Sequence, residues 1–183
     1  MDYKKILLFG SVAVAILGMA WFAWTIIYDS MTYAVYSNDK EGIAMKYPKG
    51  WKLIPNPDTG AMVAMVKPKE NPLILFQANW NISSTRLSVP LTLDQYVTAA
   101  NAQVQFMFKD AKATASPIKL SGHEGRQIVY INNEEGGMVL ICYVFIYQGS
   151  AYNITYMDFK ESYLDPKKRK AITDVIRSLK VKF

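Results

Sequence analysis

Three kinds of hydrophobic pattern divide the chain. From Ile6 to Ile27 (ILLFGSVAVAILGMAWFAWTII) apolar and small residues run without a charged side chain. From Asp29 to Glu41 (DSMTYAVYSNDKE) polar residues break the pattern. Beyond that, short apolar runs alternate with turn residues, and two stretches repeat apolar positions at helical spacing. The first pattern predicts a transmembrane helix: at 1.5 Å per residue it spans about 33 Å, enough for a hydrocarbon core of about 30 Å.

Lys4 and Lys5 precede this segment and Asp29 follows it. That bias predicts a cytoplasmic N-terminus, with everything after Tyr28 on the other side. Trp21, Trp24 and Tyr28 fall where the far interface would be, a level that amphipathic rings favour. A second reading is a cleaved signal peptide, with Gly18-Met19-Ala20 as the small-residue cleavage site; the length of the apolar run and its aromatic end weigh against it. The expected organisation is therefore a short cytoplasmic N-terminus at 1–5, a transmembrane helix at 6–28, a tether at 29–41 and an extracytoplasmic domain at 42–183. Ser11, Ala15 and Gly18 place small side chains on one face of the anchor, where packing in lipid favours close helix approach.

Within the domain, Gly42 to Tyr47 and Trp51 to Ile54 read as strand pieces around a Pro48-Lys49-Gly50 turn, in which proline pre-sets one dihedral and glycine accepts positive φ. Trp51 is expected to pack on the sheet. Ala61 to Val66 and Leu73 to Trp80 are further apolar runs. Thr92 and Gln95 form a capping box opening a helix with Leu93, Tyr96, Val97, Ala100, Val104 and Met107 on one face. Strands follow near Ala113 to Leu120, Gly125 to Ile131, Met138 to Tyr147 and Ala151 to Met157, with hairpin loops at 132–137 and at Gly149-Ser150. Asp165-Pro166 supplies an N-cap and first-turn proline for a last helix, buried along Ile172, Val175, Ile176 and Leu179. Hairpin-linked strands with two amphipathic helices make an α+β domain, an antiparallel sheet flanked by helices.

The order of these pieces carries a resemblance. GIAMKYPKGW at 42–51, LTLDQYV at 91–97, LSGHEGRQIVY at 120–130, YNITYM at 152–157 and IRSLKV at 176–181 together resemble the PsbP-like family over roughly residues 40 to 182. The resemblance implies an α/β/α sandwich. It implies no shared catalytic centre; members of that family dock onto larger partners, among them photosystem II and Ran. A membrane anchor in place of a transit peptide or lipid would set this chain apart from the photosynthetic members.

Charge and reactive residues narrow the chemistry. Residues 1–30 hold two lysines and two aspartates, so the net charge of +6 belongs to the domain. Lys167, Lys168, Arg169 and Lys170 concentrate part of it. They form either a solvated helix face or a contact for anionic lipid headgroups or an acidic partner, each such charge being worth about 1 kcal/mol near an anionic membrane. Nucleic acid is not an expected partner outside the cytoplasm. The single cysteine, Cys142, excludes an internal disulfide and lies in an apolar run as a small core hydrophobe. His123, the one histidine, stands in SGHEGR, which reads as a loop; with Glu124 and Arg126 it is the one candidate polar site, and two adjacent ligands without a second histidine make a poor metal site. No phosphate-cradling glycine loop and no cofactor motif is present.

These features predict a non-enzymatic accessory, stabilising or assembly subunit of a multi-subunit membrane complex, photosynthetic or respiratory. Its expected partners are integral membrane subunits and membrane lipids, in a cytoplasmic (inner) or thylakoid-type membrane. The alternative is a membrane-tethered ligand-binding or hydrolytic protein with a pocket near His123.

Overall fold

The computed structural model of the protein describes residues 17, 19–21, 23–24, 32–69, 71, 73, 76–107, 111–132 and 136–181. Ser11, Ala15 and Gly18 lie outside them, as does most of the expected anchor. Among the described residues, no helix is long and apolar enough to cross a membrane. Leu17, Met19, Trp21 and Trp24 are helical and expose their apolar side chains.

Among the described residues, ten strands form two antiparallel sheets. The smaller has the order β1 (Tyr33–Asn38), β2 (Ile43–Pro48), β10 (Lys180–Val181). The larger runs β3 (Lys52–Pro55), β4 (Val63–Val66), β5 (Asn79–Arg86), β9 (Ser150–Phe159), β8 (Met138–Tyr147), β7 (His123–Ile131), β6 (Lys112–Leu120). The helices are α1 (Leu93–Met107), α2 (Lys160–Leu164) and α3 (Pro166–Arg177).

The centre of the large sheet explains the most apolar run in the chain. On β8, Val139, Ile141, Tyr143 and Phe145 face one core, while Leu140, Cys142 and Val144 face another, so both faces are buried. The first core is closed by α3 through Ile172, Val175 and Ile176, and by Ile43 and Met45 of the small sheet. The second is closed by Leu93, Tyr96, Val97 and Val104 of α1. A sheet between helical layers is the expected arrangement, with one difference: the small sheet shares one layer with α3.

Local signals at the helix ends operate as the sequence predicts. The Thr92 amide donates to Gln95 Oε1 at 2.9 Å and the Gln95 amide to Thr92 Oγ1 at 3.2 Å. Asp165 Oδ1 accepts from the Lys167 amide at 2.9 Å, ahead of Pro166.

Three expectations need correction. The segment expected as a tether contains β1, which pairs with β2 from Tyr33↔Pro48 to Asn38↔Ile43, so the folded unit starts before residue 42. Its alternation of half-buried Tyr36 with exposed Val35 and Ser37 is that of an edge strand, and edge strands carry polar residues. Of the apolar run at Leu73 to Trp80, residues 76–78 lie outside any strand and the strand is β5 at Asn79–Arg86; Trp80 and Ile82 point into the core while Asn79, Asn81 and Ser83 take the other face. His123 is not in a loop. Ser121 (φ 49°) and Gly122 (φ 87°) alone make the two-residue turn, and His123 pairs with Leu120 as the first residue of β7.

The turn after GIAMKYP links the two sheets. The Trp51 amide donates to the Pro48 carbonyl at 3.1 Å, and Gly50 adopts φ 92°, a position where glycine alone is unstrained. The chain thus passes from β2 to β3 and sets Trp51 at the seam between the sheets.

Candidate functional site

Strand alternation separates the polar residues at 123–126. His123 stacks on Phe145, centroids 5.9 Å apart, on the face covered by α3 and the small sheet, and lies 4.7 Å from the Tyr147 ring. Glu124 and Arg126 project from the opposite face. There Arg126 Nη2 pairs with Asp94 Oδ1 of α1 at 2.7 Å. The open hollow of about 400 Å³ on this hairpin is lined by Glu124 and Arg126 without His123. The three side chains therefore do not converge, and a reaction centre built on them has no geometric basis. Among the described residues, no group of three or more histidine, cysteine or carboxylate side chains could hold a metal ion.

Lys167 to Lys170 open α3 and are exposed. Lys170 pairs with Asp174 one turn on, the Arg169 guanidinium lies 6.0 Å from the centre of the Tyr163 ring, and Lys168 Nζ donates to Ser162 Oγ at 2.9 Å. Lys168 also borders a concave site.

That site is a groove at the seam of the sheets, beside α3. One hollow of about 140 Å³ has Trp80, Tyr156, Ile172 and Val175 as its apolar wall, with Trp51 and Pro48 from the turn closing one side. Lys67, Asp158 and Lys168 line it too, and the same three residues line an adjoining hollow of about 200 Å³ that includes Lys69, Phe76 and Ser162. Trp80 and Tyr156 pack ring to ring at 4.9 Å, on paired positions of β5 and β9.

Asp158 is the one buried charged residue among the described residues. Tyr156 Oη donates to its Oδ2 at 2.7 Å, and the Phe159 amide donates to its Oδ1 at 2.8 Å, so both carboxylate oxygens are engaged. Burial first, then the hydrogen bond to Asp158 and its charge, push the Tyr156 phenol well above the ordinary tyrosine value. Tyr156 is therefore a neutral donor, not a base, across the physiological range. Cys142 lies in the other core, where burial raises its thiol to about 12 and leaves it protonated and unreactive.

Sequence reading missed this groove, apart from Trp51 and Lys168 taken singly. One signal was available. In Tyr152, Ile154, Tyr156, Asp158 an acid continues the buried face of an otherwise apolar strand, and a charge there needs partners.

No family model and no curated protein matches the chain. Solved structures do match its fold. The cyanobacterial PsbP (CyanoP) of Synechocystis sp. PCC 6803 superposes with a TM-score of 0.59 at 17% identity, over 82% of this chain and 93% of that one. The Ran-binding protein Mog1p of Saccharomyces cerevisiae gives 0.56 at 11% identity, over 82% and 96%. LpqN of Mycobacterium tuberculosis, involved in cell envelope biogenesis, gives 0.51 at 13% identity, over 77% and 83%. The chain has a PsbP/Mog-like fold, and likenesses at these identities establish the fold alone.

Proposed function

We propose that this protein is a non-catalytic docking module, an accessory or assembly subunit that binds a larger protein complex through the groove at its sheet seam. The observation that carries the reading is the size and lining of the groove. Small-molecule sites hold about 300–1,000 Å³ and bury most of their ligand. Hollows of about 140 and 200 Å³ are each the size of a side chain, and taken together they only just enter that range. An aromatic-walled pocket beside charged groups is the form that anchor sites take in protein interfaces. One structural neighbour, Mog1p, is a Ran-binding protein, which agrees with a protein partner.

We further propose that the segment 6–28 anchors the module in a cytoplasmic or thylakoid-type membrane, that the domain stands on the extracytoplasmic side, and that integral membrane subunits are its partners, with lipid contact through Lys167 to Lys170. Tethering would raise the local concentration of the domain at the membrane, so a weak dock would persist. Affinity purification of the tagged full-length chain in mild detergents tests this: integral membrane partners should co-purify in fixed stoichiometry. A monomer in every detergent, or a domain digested by protease only after the cytoplasmic side is opened, would sink the reading.

A further inference from the structure

We infer that the groove binds an extended acidic segment of a partner protein, with one large apolar side chain in the aromatic hollow and a neighbouring carboxylate among Lys67, Lys69 and Lys168. The inference rests on the docking reading and specifies what docks.

Three observations lead to it. The two hollows share Lys67, Asp158 and Lys168 as a common wall, so whatever fills one lies beside whatever fills the other. Alternate residues of an extended chain share one face about 6.6 Å apart and can present unlike side chains to such a pair. Their linings differ in kind: Trp80, Tyr156, Ile172 and Val175 make the first apolar, while the second adds Lys69 and Ser162 to Lys67 and Lys168. Lys67, Lys69 and Lys168 border it with one acid, Asp158, both of whose oxygens accept hydrogen bonds within the protein. The site is thus complementary to an anion attached to something greasy, within a domain that carries the chain's net charge of +6. An anionic membrane would be met equally well by exposed lysines on a convex surface. It has no use for two side-chain-sized hollows with an aromatic floor, and this favours a peptide.

The full-length protein in neutral detergent tests the inference with three capped pentapeptides that carry alanine at positions 2 and 4 and are named by their other three residues: Glu-Phe-Glu, Glu-Ala-Glu and Lys-Phe-Lys. The indole N–H resonances of Trp51 and Trp80 report binding, with Trp21 and Trp24 as internal controls. The Glu-Phe-Glu peptide should move Trp51 and Trp80 saturably, roughly ten-fold more tightly than either of the others, each of which removes one anchor. Lys67→Glu with Lys168→Glu should weaken it roughly ten-fold or more in protein whose circular dichroism shows it folded. The exposed Lys69→Glu gives the same reading should the double variant not fold. No saturation up to roughly 10 mM, equal or tighter binding of Lys-Phe-Lys, or unchanged binding by the charge-reversed variants overturns the inference, as do anionic vesicles that shift both indoles where the peptide does not. Failure of the two readings is distinguishable. Membrane partners that co-purify undiminished with charge-reversed protein leave docking intact and remove the groove from it. Specific Glu-Phe-Glu binding without co-purifying membrane subunits retains the groove and removes the accessory role.

Discussion

The Tyr156 hydroxyl donates to the Asp158 carboxylate at 2.7 Å from two residues away on the same face of β9. This bond and the Phe159 amide allow a carboxylate to sit on the apolar side of the sheet. Tyr156→Phe removes the hydroxyl and leaves one buried oxygen of Asp158 without its donor, at a cost of about 1–3 kcal/mol. For a chain of this size, that lowers the melting temperature by about 2–4 °C per kcal/mol. In a double-mutant cycle, Tyr156→Phe with Asp158→Asn should cost less than the sum of the single changes, because one interaction is being lost twice. Strictly additive losses would show that the bond contributes nothing to stability.

Trp80 and Trp51 line the same hollow but should respond differently to truncation. Trp80 is 1% exposed, stacks with Tyr143 and packs at a tilt against Tyr156, whereas Trp51 is half-buried at the seam. Trp80→Ala should cost the full 3–5 kcal/mol or so of a buried aromatic, and Trp51→Ala about half of that. Thermal melts of the two variants decide the order. A larger loss for Trp51→Ala would make the GIAMKYPKGW turn the main structural element of the seam and weaken the case that its tryptophan serves docking.

The parts of this fold legible in the sequence are those fixed by neighbours in the chain. The Thr92–Gln95 capping box, the Asp165-Pro166 start of α3 and the apolar run of β8 each state their structure within a few residues. What escaped depends on contacts distant in sequence. The short strand β10 exists because Lys180 and Val181 meet Ala44 and Ile43 of β2, and β1 because it pairs with the rest of that strand. The shift of β5 arose because Asn81 and Ser83 are polar on the face away from the first core, while Leu73, in an apolar run, is exposed. The groove was illegible for the same reason. Lys67 follows β4, Asp158 belongs to β9 and Lys168 to α3, and only the fold makes them one wall.

Alkaline pH should loosen the protein at the second core. Burial raises the Cys142 thiol from 9.0 to about 12, and burial, then the neighbouring Cys142, raises the Tyr130 phenol from 10.0 to about 12. In both, the folded state holds its proton more tightly than the unfolded chain. Their contribution is therefore fully present below pH 9 and is lost as pH rises towards about 12, at a rate approaching 1.4 kcal/mol per pH unit for each group. Urea melts at a series of pH values should show stability falling across that window. Cys142→Ala should flatten the fall most between pH 9 and 10, below the ordinary tyrosine value, where the thiol is the largest contributor. An unchanged slope in that variant would rule the thiol out as a source of the loss.

Gly125 is required for a different reason from Gly122, three residues earlier. A Cβ built on Gly125 would lie 2.7 Å from the Val144 carbonyl oxygen, with Leu120 Cδ1 at 3.3 Å and Ile118 Cγ2 at 3.4 Å. The first of these belongs to the backbone of β8, paired with β7 across the middle of the sheet, and it cannot retreat without opening the ladder. Gly122 has nothing within 4 Å of such a Cβ; its constraint is φ 87° in the turn. Gly125→Ala should therefore cost about 1–3 kcal/mol through overpacking. Gly122→Ala should cost about 1–2 kcal/mol through its left-handed backbone. Asparagine separates the two mechanisms, since it tolerates the left-handed region but is larger than alanine. Gly122→Asn should recover much of the stability that Gly122→Ala loses, whereas Gly125→Asn should be worse than Gly125→Ala. If asparagine is better tolerated than alanine at Gly125, the close approach of β8 is not what holds glycine there; if it recovers nothing at Gly122, the left-handed backbone is not what holds glycine in the turn.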